Sequence, residues 1–144
     1  MKKRISRAFT LVELLVVIAV ISILLVILVP NFLRAQAQSQ LVSCRANLRD
    51  VAVAVELYSM DNKGHFPPAR SFTSAIVGPG KYLPAIPLCP SVKIDTYSPS
   101  YELNRNPDKY TLYCSGLNHQ AAGINRSNYP QFTSGSDLRV VTGD

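Results

Sequence analysis

The sequence predicts an α+β chain. A long N-terminal α-helix, apolar in its first half and amphipathic in its second, is expected to pack on a small globular domain with a short antiparallel β-sheet. Three observations predict this. Phe9 to Val29 is an almost unbroken apolar run. Leu41 to Tyr58 carries an apolar stripe at helical spacing. Beyond Pro68 the composition shifts to tyrosine-rich strands, prolines and turns.

The apolar run holds 21 residues, which as a helix span about 31 Å, the thickness of a hydrocarbon core. One carboxylate, Glu13, sits inside it. An ionised side chain in such a helix costs a few kcal/mol on insertion scales and calls for a partner. A snorkelling carboxylate is the alternative. The formal charge of +6 is mostly a topology signal. Lys2, Lys3, Arg4 and Arg7 are four of the fifteen basic residues, leaving eleven against nine acidic ones in the rest of the chain. Basic residues flanking a span stay in the cytoplasm, so the N-terminus is expected inside and everything after Pro30 outside an inner membrane. That distribution gives no reason to expect a nucleic-acid partner.

An ordinary secretory signal has an apolar region of about 7 to 15 residues followed by a small-residue cleavage site. Here the run is longer, and Leu28-Val-Pro-Asn-Phe32 offers no such site. Ala8, just before the run, is the small residue at a plausible junction, and a cut there leaves the span on the mature chain. An uncleaved anchor is the bland alternative.

Arg7-Ala-Phe-Thr-Leu-Val-Glu-Leu-Leu-Val-Val-Ile18 resembles the class III signal of type IV pilins and type II secretion pseudopilins. The resemblance implies cleavage between Ala8 and Phe9 by prepilin peptidase and N-methylation of Phe9. It also implies assembly roles for Glu13 and Pro30. The family usually has Gly where this chain has Ala8, and Gly where it has Ser22. In a filament, a staggered neighbour's terminal ammonium would meet Glu13, neutralising both charges. Proline removes one helical hydrogen bond, and a serine hydroxyl at Ser22 can bond a nearby carbonyl, so this part of the helix can bend.

The helix is expected to continue through residues 30–64. Leu41, Cys44, Leu48, Val51, Val55 and Tyr58 form one stripe, with Arg45, Arg49 and Glu56 off it. Cys44 on that stripe reads as a buried structural thiol. Asp61-Asn-Lys-Gly64 stops the helix, with Gly64 suited to a left-handed cap. Leu57 to Pro68 resembles the same junction in the major pseudopilin, and His65 in it reads as a partly exposed packing residue. Ser71 to Val77 is expected to form a short helix, and the prolines of Tyr82 to Pro90 an ordered loop. Tyr97 to Leu103 and Tyr110 to Ser115 read as a hairpin around Asn104 to Lys109, with Tyr110, Leu112 and Cys114 on one face. A last strand is expected at Asp137 to Thr142.

The domains expected are thus a leader at 1–8, a membrane and filament-core helix at 9–29, an amphipathic continuation at 30–64, and a stapled globular domain at 65–144. The staple is a disulfide between Cys89 and Cys114, which would close a loop of about 25 residues and stabilise by about 3 to 4 kcal/mol. The surrounding Ile86-Pro-Leu-Cys-Pro-Ser91 and Tyr110-Thr-Leu-Tyr-Cys-Ser-Gly-Leu-Asn-His119 are similar to a pattern in a subset of pilin-like proteins. Cys44 is then a free thiol. Cys114, His119 and Cys89 also make a partial metal set, but the lack of a second Cys-x-x-Cys element and the outside location favour the disulfide. No metal is expected. Asp137, Ser134 and Ser136 carry too few carboxylates for the calcium loop of major pseudopilins.

No phosphate loop, paired carboxylates or nucleophile context points to an enzyme, and no cofactor is expected. The resemblance implies a structural filament subunit of a type IV pilus or type II secretion pseudopilus. Its partners are identical or homologous subunits, prepilin peptidase, an inner-membrane assembly platform and an assembly ATPase, with the membrane holding the subunit before assembly. The alternatives are a minor pilin that binds DNA or a surface through Arg105, Lys109 and Arg126, and a simple signal-anchored periplasmic protein.

Overall fold

A computed structural model of the chain describes residues 9–105, 108–125 and 129–135. Ala8 and the leader, the turn residues Asn106 and Pro107, Arg126, Ser136 and the segment Asp137 to Thr142 lie outside the described residues. The first helix, α1, is Leu11–Asp61. The chain divides into two compact units, one ending at Ala35 and one beginning at Gln36.

The described part of the first unit is helix from Leu11 onward. Every large apolar side chain from Phe9 to Val29 is exposed, and none of its most apolar window is buried within the chain. Each such side chain left in water forgoes about 1.5 to 3 kcal/mol of transfer free energy. A surface of this kind needs lipid or other apolar helices around it. Helical structure continues across Ser22 and Pro30. Ser22 donates to the Ile18 carbonyl at 2.7 Å, and Asn31 donates its amide to the Ile27 carbonyl at 3.2 Å.

In the second unit, the part of α1 after Ala35 buries Ala37, Leu41, Cys44, Leu48, Val51, Ala52, Ala54, Val55 and Ser59. This is the expected stripe, widened by the small residues Ala52, Ala54 and Ser59 that let neighbours approach. Tyr58 is half-buried and packs edge-on against Tyr82, ring centroids 5.9 Å apart. The helix stops as the sequence requires. Gly64 takes φ +86° and its N–H donates to the Ser59 carbonyl at 2.8 Å. An added Cβ would meet nothing within 4 Å, so only backbone strain opposes one. Gly64→Ala is expected to cost about 1 kcal/mol, measured by chemical denaturation of the detergent-solubilised chain.

A 3₁₀ turn at Ala69–Ser71 leads into α2, Phe72–Ile76, which places Phe72 and Ile76 in the core. The proline loop that follows carries only an isolated bridge, Val77 with Leu83. Three strands complete the unit: β1 Glu102–Arg105, β2 Asp108–Tyr113 and β3 Gln131–Thr133, in the order β1-β2-β3 and antiparallel throughout. Thr111 pairs with Glu102 on one side and Thr133 on the other. Tyr110, Leu112 and Cys114 are buried while Thr111 and Tyr113 are half-buried, the expected alternation.

Two expectations need correction. The first strand does not begin at Tyr97. Asp95 Oδ1 accepts the N–H groups of Tyr97 and Ser98 at 2.9 and 3.0 Å, and this Asx turn feeds a 3₁₀ turn at Ser98–Ser100. The strand then runs on through Arg105, with Arg105 opposite Asp108, so the connection is shorter than expected. His65 is exposed and pairs through Nδ1 with Asp108 Oδ2 at 3.1 Å rather than packing.

Tyr110 is the centre of the core. Its ring lies against Phe66 at 4.8 Å, Tyr101 at 5.9 Å and Phe132 at 6.1 Å, and its hydroxyl donates to Glu56 Oε1 at 3.0 Å. It joins the sheet to α1.

Candidate functional site

Two regions hold the residues singled out by sequence, one in each unit. In the first, Thr10 and Glu13 form a reciprocal cap. The Thr10 N–H and hydroxyl both donate to Glu13 Oε2, at 3.0 and 2.9 Å, and the Glu13 N–H donates to Thr10 Oγ1 at 3.2 Å. This is the capping box, in which a Thr and a Glu three residues later satisfy each other's backbone donors at a helix start. The carboxylate is therefore not unpartnered within its own chain. Thr-x-x-Glu was the signal for it in the sequence. Phe9 precedes the cap and is exposed.

The second region gathers three cysteines and a histidine from four separate segments. Cys44 comes from the buried stripe of α1, and Cys89 from the end of the proline loop. Cys114 follows β2, and His119 sits in the 3₁₀ segment Gly116–Ala122. All four are buried, and one donor atom from each lies within 4.8 Å of the others. Cys89 Sγ and Cys114 Sγ are 3.6 Å apart, and His119 Nε2 lies 3.5 Å from Cys114 Sγ and 3.7 Å from Cys89 Sγ.

Cys89 and Cys114, the pair expected to form a disulfide, face each other here without a bond between them, and Cys44 is likewise unbonded. A bond requires sulfurs about 2.05 Å apart. Cys44, expected to stand alone, shares the same space.

Local structure fixes each group. The Asn47 amide donates to the Leu88 carbonyl at 3.1 Å, tying the Cys89 loop to α1. That loop closes on itself, with the Lys93 N–H donating to the Cys89 carbonyl at 2.8 Å and the Cys89 N–H to the Ile94 carbonyl at 2.9 Å. Lys93 takes φ +60° to do so. Backbone N–H groups of Ser91 and Val92 point at the Cys89 sulfur. The Tyr97 hydroxyl donates to Cys44 Sγ at 3.3 Å, and Thr96 Oγ1 is 3.2 Å from Cys114 Sγ. Ser91 Oγ meets His119 Nδ1 at 3.0 Å, so the other ring nitrogen faces the sulfurs.

The hydrogen bond with Cys44 draws the Cys114 thiol down, helped by His119, Thr96 and Cys89. Cys44 is pushed up, chiefly by that same bond and then by burial. Cys89 is pushed up by burial.

Comparison with known proteins bears on the first region. The prokaryotic N-terminal methylation motif matches residues 3–29. The motif is that of N-terminally methylated proteins, and the relatives that share this region are type IV pilin and pseudopilin subunits. The α+β architecture, a long apolar N-terminal helix with a small three-stranded antiparallel sheet, is pilin-like. Among similar proteins are the type IV wide pilus major component of Thermus thermophilus, 40% identical over 42% of this chain and 46% of its own length, and a ComG operon protein 3 homolog of Bacillus licheniformis, 39% identical over 43% of this chain and 64% of its own. The type II secretion system core protein G of Pseudomonas aeruginosa is 29% identical over 43% of this chain and 44% of its own. The chain thus spans less than two thirds of the length of these relatives. No solved structure matches it.

Proposed function

We propose that this chain is a structural subunit of a type IV pilus-like or pseudopilus filament. The observation that carries the reading is the first helix, in which an almost wholly apolar, exposed surface begins at a capped carboxylate inside the N-methylation motif. Relatives named as pilus and secretion-system components support it.

In this reading prepilin peptidase cuts between Ala8 and Phe9 and methylates Phe9. The subunit waits in the inner membrane with its N-terminus inside and the unit beyond Gln36 outside. An assembly platform and ATPase then move the helix from lipid into a bundle of like helices. The transfer is feasible because the bundle offers the Phe9 to Val29 surface neighbours as apolar as lipid, so little transfer free energy is lost. Pro30 marks where the membrane segment hands over to the amphipathic stripe. Glu13 is neutral to the transfer only if its charge stays satisfied. Its own cap provides that in lipid, and a neighbour's methylated ammonium provides it in the filament.

Cells producing the chain with its peptidase and assembly machinery are expected to release it in filaments on mechanical shearing, seen by electron microscopy and immunoblot. A chain that stays wholly in the membrane fraction contradicts the reading.

A further inference from the structure

We propose that Cys44, Cys89, Cys114 and His119 form a structural site for a tetrahedral zinc ion. The inference rests on geometry. Zinc bound at about 2.3 Å to sulfur and about 2.0 to 2.1 Å to nitrogen places tetrahedral neighbours about 3.8 Å apart between sulfurs and about 3.6 Å between sulfur and nitrogen. The observed separations are 3.6 Å for Cys89 with Cys114, and 3.5 and 3.7 Å for His119 Nε2 with those sulfurs. Cys44 Sγ supplies the fourth corner within the same 4.8 Å cluster.

The donor set selects the metal class. Three thiolates and an imidazole are soft-to-borderline ligands that suit zinc and disfavour calcium or magnesium, which take oxygen. Four protein ligands leave no open position, as in structural rather than catalytic zinc sites.

The surroundings match what such a site needs in its outer layer. Each sulfur has a hydrogen-bonding partner: Tyr97 at Cys44, the Ser91 and Val92 N–H groups at Cys89, and Thr96 at Cys114. Ser91 holds the far nitrogen of His119 and is itself placed by Gln40 Oε1 at 3.4 Å. A ligating histidine is oriented in this way by a partner on its second nitrogen. A disulfide uses only Cys89 and Cys114. It leaves the buried Nε2 of His119 aimed at sulfurs that accept poorly, and it gives Cys44 no role. Zinc employs all four and ties α1, the proline loop, the end of β2 and the 3₁₀ segment to one point.

The test is metal analysis of the full chain purified in detergent, together with its intact mass without reduction. The expected result is one zinc per chain and three thiols. Cobalt in place of zinc should give the visible absorption of a tetrahedral thiolate complex. Cys44→Ser and His119→Ala should lose the metal, His119→Cys should retain it as a four-sulfur site, and Ser91→Ala should weaken it about 10- to 100-fold. A metal-free chain, with Cys89 bonded to Cys114 or with three free thiols, overturns the proposal. So does zinc content unchanged in both Cys44→Ser and His119→Ala. The His119→Cys variant and the cobalt spectrum keep the result decisive if a ligand-deleted variant fails to fold. The filament reading does not depend on the outcome.

Discussion

Glu13→Ala is expected to abolish filament assembly while leaving membrane insertion and leader cleavage intact. The carboxylate does two jobs in this account. It caps its own helix through Thr10, and in the filament it would receive a neighbour's ammonium. Losing the cap costs about 0.5 to 2 kcal/mol and frays one turn. Losing one partner of a desolvated ion pair costs about 3 to 5 kcal/mol, more than about 100-fold for each subunit added. Glu13→Gln separates the two effects. Glutamine can still complete a capping box but carries no charge, so it too should fail to assemble. Normal filament yield from Glu13→Gln assigns Glu13 to capping alone and removes the charge-pairing step.

Tyr110→Ala is expected to destabilise the second unit by about 3 to 5 kcal/mol, the range for deleting a fully buried aromatic ring. The ring is wholly buried against Phe66, Tyr101 and Phe132. Its removal opens a cavity where β2 meets α1. A unit of this size has about 5 to 15 kcal/mol of total stability, so the loss is a large share. Tyr110→Phe keeps the ring and loses the hydroxyl's bonds to Glu56 and the Ala52 carbonyl, about 1 kcal/mol. Denaturant unfolding of the detergent-solubilised chain, followed by tyrosine fluorescence, measures both. Equal losses in the two variants would show that the hydroxyl, not the ring, holds the core.

Both variants rest on features whose legibility in the sequence differs. Helical spacing alone located Leu41, Cys44, Leu48, Val51 and Val55 on the buried face, because a helix repeats its facing every three to four residues. Gly64 was readable as a stop for the same local reason. Strand alternation at Tyr110, Leu112 and Cys114 was equally local. The start of β1 was not, since Asp95 captures two backbone donors ahead of it and turns Tyr97 to Ser100 away from the sheet. The strand Gln131–Thr133 is three residues long and carries no period to detect. The left-handed backbone at Lys93 that shapes the Cys89 loop is likewise silent, because lysine does not advertise positive φ.

The cysteine cluster shows the limit most clearly. The period placed Cys44 inside, and the strand placed Cys114 inside. That both meet Cys89 and His119 is a long-range fact, set by how the proline loop and the 3₁₀ segment return to α1. Spacing in the chain gives pairs, and a pair suggests a disulfide. That four donors lie within 4.8 Å of one another emerges only in three dimensions. The Thr10–Glu13 cap is local, with a Thr followed three residues later by a Glu at a helix start, but the reading of Glu13 as a partner for a neighbouring chain passed over it.

The central claim, that this chain is processed to become a filament subunit, is tested most directly by mass spectrometry of its mature N-terminus. The account predicts a chain that begins at Phe9 with a methylated amine. An intact N-terminus at Met1, or a cut elsewhere than between Ala8 and Phe9, contradicts it.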